Sequence, residues 1–259
     1  MMISGRLARM LLGILLVSCK STSHSSAPKA FVTQEAAEKA FEIIKTTTAY
    51  IPFDNAKDGC FARAYFMSME LAIEQIPSSS QYVATMQGND LQFENNKWQW
   101  HVAPALIIVP NPSEGVRKPE YKYREFTKET LNQISEEITI VDPSMAKEPI
   151  SIREWVSLML PKGTKTYALI TPGNYYSSKP PPLLSDRPDV IRSFEELGNF
   201  KLSHIGRACG VLNKFLGTDR IRKARLSRRT GELITRLEYM GKLERDISKI
   251  DLSCPFIGW

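Results

Sequence analysis

Three residues able to open an acyl bond stand in the order Cys60, His101, Asp142, with equal separations of 41 residues (101 − 60 and 142 − 101). A thiolate attacks an acyl carbon, an imidazole moves the proton, and a carboxylate fixes the imidazole tautomer by accepting its second N–H. The inventory for such a group is small, because the 259-residue chain holds four Cys and three His. Each member alone has a plainer use. Free Cys is often a small buried hydrophobe, a strand-borne His is more often packed core, and Asp-Pro commonly opens a turn.

The elements that must carry these residues change their weight. Cys60 through Ile76 predicts a strong helix ended by Pro77 and a serine run, apolar almost all round and therefore buried in the middle of a domain. Cys60 falls in its first turn, where unpaired amides and the helix macrodipole favour a thiolate and point at a developing oxyanion. Before it, Tyr50 to Gly59 is dense in turn formers, and Thr33 to Thr46 reads as an amphipathic helix capped by Thr33. Gln81–Met86 and Trp98–Val109 read as strands, the second bearing His101, with Trp98 and Trp100 two apart and so on one face. Glu137 to Ser144 is a short apolar strand ending in Asp142. A carboxylate there is well placed to orient an imidazole.

The blocks Ile51-Pro-Phe53, Asp58-Gly-Cys-Phe-Ala-Arg-Ala64 with Met67, Trp98, His101-Val-Ala-Pro104 and Val141-Asp-Pro-Ser144 together resemble the bacterial protein-glutaminase family. The resemblance spans about Phe31 to Tyr176. It implies an α/β (α+β) papain-like or transglutaminase-like core, with the nucleophile at a helix N-terminus packed on an antiparallel sheet. It further implies a thiol hydrolase that turns protein-bound glutamine into glutamate, with Cys60 as nucleophile, His101 as base and then acid, and Asp142 as orienting carboxylate. Asn55 is a candidate side-chain oxyanion donor, although turn formation is the plainer use of Asn. Arg63 is expected to pair with Asp58 or Asp54 and fix the loop, rather than touch substrate. A cysteine protease or transglutaminase remains the enzymatic alternative, since both pass through a related thioester. A non-catalytic envelope interaction lipoprotein is the alternative outside catalysis.

Residues 1–18 read as a signal segment: Arg6 and Arg9 without an acid, then the apolar run Met10 to Val17, too short to span about 30 Å of hydrocarbon. Leu16-Val-Ser-Cys19 resembles a bacterial lipobox, which makes Cys19 the expected lipidation site. Lys20 rather than Asp follows it, so a Gram-negative host would place the protein at the outer membrane, lipid-anchored in the cell envelope. Residues 19–30, rich in Ser and Thr, read as a tether, and His24 lies in it. Secreted protein-glutaminases of this kind can carry a long inhibitory pro-region, whereas here only the tether separates Cys19 from the first helix.

The catalytic domain is expected over 31–178 and a basic helical extension over 183–259, beyond the Pro-rich spacer at Lys179 to Pro182. Helices are expected at Asp189–Gly198, Gly206–Leu216 and Arg228–Ile250. From Leu183 to Trp259 there are 15 Lys/Arg against 10 Asp/Glu, which is +5 of the chain's +6. A solvated helix face is the default use of Arg220, Arg222, Lys223, Arg225, Arg228 and Arg229; anionic lipid headgroups come next, then acidic protein substrates. Cys209 and Cys254 form a possible disulfide in an oxidising compartment. A 42% hydrophobic, 24% charged composition excludes disorder as the main state. No Cys/His pair has ligand spacing and no Gly-rich phosphate loop occurs, so neither metal nor cofactor is expected. Expected partners are proteins or peptides with exposed Gln and the membrane through the lipid anchor, with no nucleic acid, for a monomer.

Overall fold

The computed structural model describes residues 31–53, 59–85, 90–108, 124–133, 137–179 and 198–246. The signal segment, the tether and all but the last residue of the helix expected at 189–198 lie outside them. Helix α1 spans Gln34–Thr46, and the Thr33 hydroxyl accepts a bond from the Ala36 amide at 3.2 Å. Ala37, Ala40, Phe41 and Ile44 form its buried face. Helix α2 spans Cys60–Ile73 and is buried at nearly every position, including Arg63, Ser68 and Glu70. Apolar residues all round α2 thus mark a central helix.

The main sheet has seven strands and is antiparallel except at its first strand. The strands that position the site are β2 (Ser79–Thr85), β5 (Trp100–Ile108), β7 (Ile138–Ile140), β8 (Ile150–Ser151) and β9 (Thr166–Pro172). β6 (Arg124–Phe126) forms one edge beside β9, and β1 (Phe31–Val32) runs parallel to the end of β5. A separate hairpin pairs β3 (Leu91–Phe93) with β4 (Asn96–Trp98). The long strand expected over 98–109 is therefore two strands broken at Gln99, whose carbonyl accepts both the amide (2.9 Å) and the hydroxyl (3.1 Å) of Thr85. With alternation interrupted there, Trp98 and Trp100 do not share a face: Trp100 packs with the α2 side of the sheet and Trp98 with the opposite side.

That opposite side is covered by α3 (Ile152–Met159), which begins with a capping box between Ser151 and Glu154 and buries Ile152, Trp155, Val156 and Met159. The architecture is α+β, a mostly antiparallel sheet between helical layers.

The C-terminal segment forms α4 (Leu202–Phe215) and α5 (Arg220–Tyr239), with β10 (Phe200–Lys201) paired to β11 (Leu243–Glu244). Both helices share one hydrophobic core with α1, α2 and β5, through Ile205, Ala208, Leu212, Leu226, Leu233 and Leu237. The helix expected over 228–250 instead starts at Arg220, where the Asp219 carboxylate accepts from the Arg222 amide at 2.9 Å. It stops at Gly241, φ +66°, with Gly241 N bonded to Glu238 O and Lys242 N to Leu237 O, a Schellman closure. Cys209 is disulfide-bonded; its expected partner Cys254 lies outside the described residues. Among the described residues no helix is long and apolar enough to cross a membrane.

Candidate active site

Cys60, a free and buried thiol, opens α2. Gly59 precedes it at φ +83°, and a Cβ at that position would lie 2.6 Å from Cε2 of Phe215 at the end of α4. Glycine thus satisfies a left-handed backbone and a close approach at once. The Arg63 amide donates to Gly59 O at 3.0 Å, which leaves the earlier amides of the first turn without acceptors inside the helix. The buried Arg63 side chain reaches back to the Pro52 carbonyl at 3.4 Å, holding the entry loop from beneath. Asn55 and the acids Asp54 and Asp58 lie outside the described residues.

His101 is the second residue of β5 and 3% exposed. Its ring lies between two indoles, stacked on Trp98 at 5.2 Å and tilted against Trp155 at 5.4 Å. Nε2 is 2.9 Å from Asp142 Oδ2. A carboxylate only accepts, so Nε2 carries the proton in that bond and Nδ1 is left for other work. Nδ1 makes no conventional hydrogen bond, while the Cys60 thiol interacts with the same imidazole. Burial alone disfavours the imidazolium, but the Asp142 hydrogen bond and the Cys60 thiol more than offset it and push the His101 pKa up to about 9.

Asp142 lies just beyond β7 and is buried. Its Oδ2 also accepts from Trp155 Nε1 at 3.0 Å, and its Oδ1 accepts from the Ser144 amide at 3.1 Å and from the Ser144 hydroxyl. Burial would raise its pKa, yet the His101 bond and charge, followed by Ser144 and Trp155, hold it below the ordinary carboxylate value. Trp155 is a contributor that the sequence pattern did not single out, although Ser151-Ile-Arg-Glu154 carries the capping-box signature of the helix that delivers it.

A second buried network was also missed. Glu70, on the same helix as Cys60, accepts Arg229 Nε at 2.8 Å and Nη2 at 2.6 Å, and takes the Tyr50 hydroxyl as well. Arg222 donates to Ile51 O at 2.8 Å and Lys242 Nζ to Ala72 O at 3.0 Å. Arg222 and Arg229 are therefore not part of a solvated face: they bind α5 to helix α2 and its entry loop. The available signal was the one acid in a buried helix that is apolar apart from it, Arg63 and Ser68; a buried carboxylate demands a cationic partner. His204 is half-buried against Tyr176, ring centroids 5.3 Å apart. Among the described residues no group of three potential ligands could hold a metal ion.

This geometry could support thiol-based acyl chemistry: a Cys at a helix N-terminus, a buried imidazole and a carboxylate bonded to it. Residues 37–116, which include Cys60 and His101, match the model of a glutamine-deamidase family described as Glutaminase. The match covers 80 of the 259 residues, under a third of the chain. Asp142 lies beyond the matched residues. A search of the curated proteins returned no relative. Among solved structures, the chain is similar to a crystal structure of protein-glutaminase, with 20% identity and a TM-score of 0.43, covering 59% of this chain and 78% of that one. The NMR structure of protein-glutaminase from Chryseobacterium proteolyticum gives 21%, 0.39, 58% and 77%. A crystal structure of pro-protein-glutaminase gives 21%, 0.42 and 58%, and this chain covers 51% of its length, about half.

Proposed function

We propose that the protein deamidates glutamine side chains in proteins or peptides to glutamate, releasing ammonia, through a thioester on Cys60. The observation that carries this reading is a single arrangement: the thiol at the start of α2 beside an imidazole held by Asp142, with Cys60 and His101 both inside the segment that matches the glutaminase model. The Cys60 sulfur attacks the carboxamide carbon and the carbonyl electrons move to oxygen, where first-turn amides of α2 receive the charge. When the carbonyl reforms, the C–N bond breaks and the His101 imidazolium gives its proton to the departing nitrogen. Water then adds to the thioester as neutral His101 accepts its proton, and the C–S bond breaks to leave glutamate and the thiolate–imidazolium pair. Asp142 keeps Nε2 protonated throughout, so the exchanging proton travels on Nδ1.

The test is to incubate the purified protein, without lipid, with a Gln-containing peptide and to follow ammonia and mass. A gain of about one mass unit with matching ammonia, absent in Cys60→Ala, is the expected result for hydrolysis of a side-chain amide. Peptide cleavage or amine incorporation assigns a protease or a transglutaminase instead, and no reaction removes the catalytic reading. We further propose that Cys19 is acylated and holds the enzyme, as a monomer, at the cell envelope. The lipobox-like Leu16-Val-Ser-Cys19 supports this, and labelling with a fatty-acid analogue that persists in Cys19→Ser would contradict it.

A further inference from the structure

Two groups stand out among the basic residues of the C-terminal segment. One group is consumed by the fold: Arg229 and Arg236 pair with Glu70 and Glu74 of the nucleophile-helix region, and Arg245 with Glu238. The other group lines a groove of about 590 Å³ that begins at Phe61, the residue after Cys60. Phe61, Tyr176 and Val211 supply its apolar lining, and Arg207, Lys214 and Lys223 its charge. None of the lining residues is Asp or Glu, and none of these three cations has an ion-pair partner among the described residues. Arg207, Val211 and Lys214 fall on one face of α4 by their spacing. Gly210 also lines the groove. The same helix ends in Phe215, which packs on Gly59, so the groove wall and the nucleophile turn are fixed to each other.

Resting on the deamidase reading, we infer that this groove is the substrate subsite beside the scissile glutamine and that it selects polypeptide segments with Asp or Glu next to that glutamine. The volume falls in the range of ordinary ligand sites, and the lining combines an apolar base for a side chain with cations of one sign. Charge complementarity makes the occupant acidic, and the adjacency of Phe61 to Cys60 makes it a polypeptide that presents an amide. Because the cations are exposed or half-buried, they act on encounter and KM more than on the chemical step, and salt screens them.

The experiment uses the full chain carrying Cys60→Ala, which cannot turn over. Binding of fluorescein-labelled peptides with Gln flanked by Asp/Glu, by Ser/Ala or by Lys is read by anisotropy. The acidic peptide is expected to bind roughly tenfold more tightly than the neutral one, with the preference shrinking several-fold between about 50 and about 500 mM salt. Adding Arg207→Glu with Lys214→Glu removes the preference. Arg225→Glu with Arg228→Glu, which changes net charge equally on the outer face of α5, keeps it. Equal affinity for all three peptides, or equal loss in both double variants, overturns the subsite. Displacement of the acidic peptide by phosphatidylglycerol vesicles but not by excess unlabelled acidic peptide assigns the cations to a lipid surface and also overturns it. The deamidase reading is judged separately by ammonia release from the wild-type chain: acidic preference in binding without ammonia from any peptide leaves the subsite and removes the reaction.

Discussion

Two carboxylates, Asp142 and Glu70, are buried to nearly the same degree, 2% and 3% exposed, and each accepts several hydrogen bonds. Their partners differ in kind. Asp142 faces an imidazole whose charge changes within the working pH range, flanked by an indole and a hydroxyl that only adjust it. Glu70 faces a guanidinium that never loses its proton and is bound in bidentate form. A buried carboxylate is costly without a partner, so both need one, but only a titratable partner turns the site into a proton-handling device. The permanent cation turns the other site into a clamp between α5 and the helix that presents Cys60.

The largest expected effect that tests this contrast is on catalysis. Asp142→Asn keeps the side-chain volume and removes the acceptor charge, and is expected to lower kcat/KM by roughly 10²- to 10⁴-fold, the scale seen for orienting carboxylates. Its pH profile is informative as well. In the proposed mechanism deprotonation of His101 removes the acid that expels ammonia, so the wild-type basic limb should fall near pH 9, and in Asp142→Asn it should move to lower pH. An unmoved limb would show that Asp142 does not set the imidazole charge.

The next effect is on stability rather than rate. Arg229→Met leaves Glu70 buried against Tyr50 alone, which is expected to destabilise the fold by about 2 kcal/mol, below the usual figure for a broken buried pair because Arg229 is partly exposed. Denaturant unfolding measures it, and a kcat/KM loss far beyond what the residual folded fraction explains would mean that the clamp is part of the chemistry. The same contrast has a pH signature. The folded pKa of His101 is raised from 6.5, so its stabilising contribution is whole below pH 6.5 and fades as pH rises through about 9. That fading should be absent in His101→Ala and present in Arg229→Met. Smallest is Gly59→Ala, expected to lose about 1–2 kcal/mol from positive-φ strain and the displaced Phe215 ring.

The catalytic candidates were legible because each sits in a contiguous block whose chemistry is local: a thiol at a helix start, a His amid β-formers, an Asp ending a strand. Helix α1 was legible for the same reason, with Thr33 as cap and the apolar face at helical spacing. What depended on distant partners was not. The Glu70–Arg229 pair spans 159 positions, and no window around Arg229 distinguishes it from solvated neighbours such as Arg228. Alternation placed Trp98 and Trp100 together only on the premise of an unbroken strand, which the Thr85 bonds to Gln99 interrupt. The end of α5 is marked in the sequence by Gly241, whose left-handed backbone closes the helix before the expected boundary at Ile250.

The most direct measurement is acid-quenched mass spectrometry of the wild-type enzyme mixed with a glutamine peptide, followed by digestion. The account predicts a transient adduct on the fragment containing Cys60, equal to the peptide less ammonia (about 17 mass units), formed before glutamate appears and absent in His101→Ala. Free ammonia and glutamate accumulating with no adduct on Cys60 at any quench time, or unchanged turnover in Cys60→Ala, would contradict it.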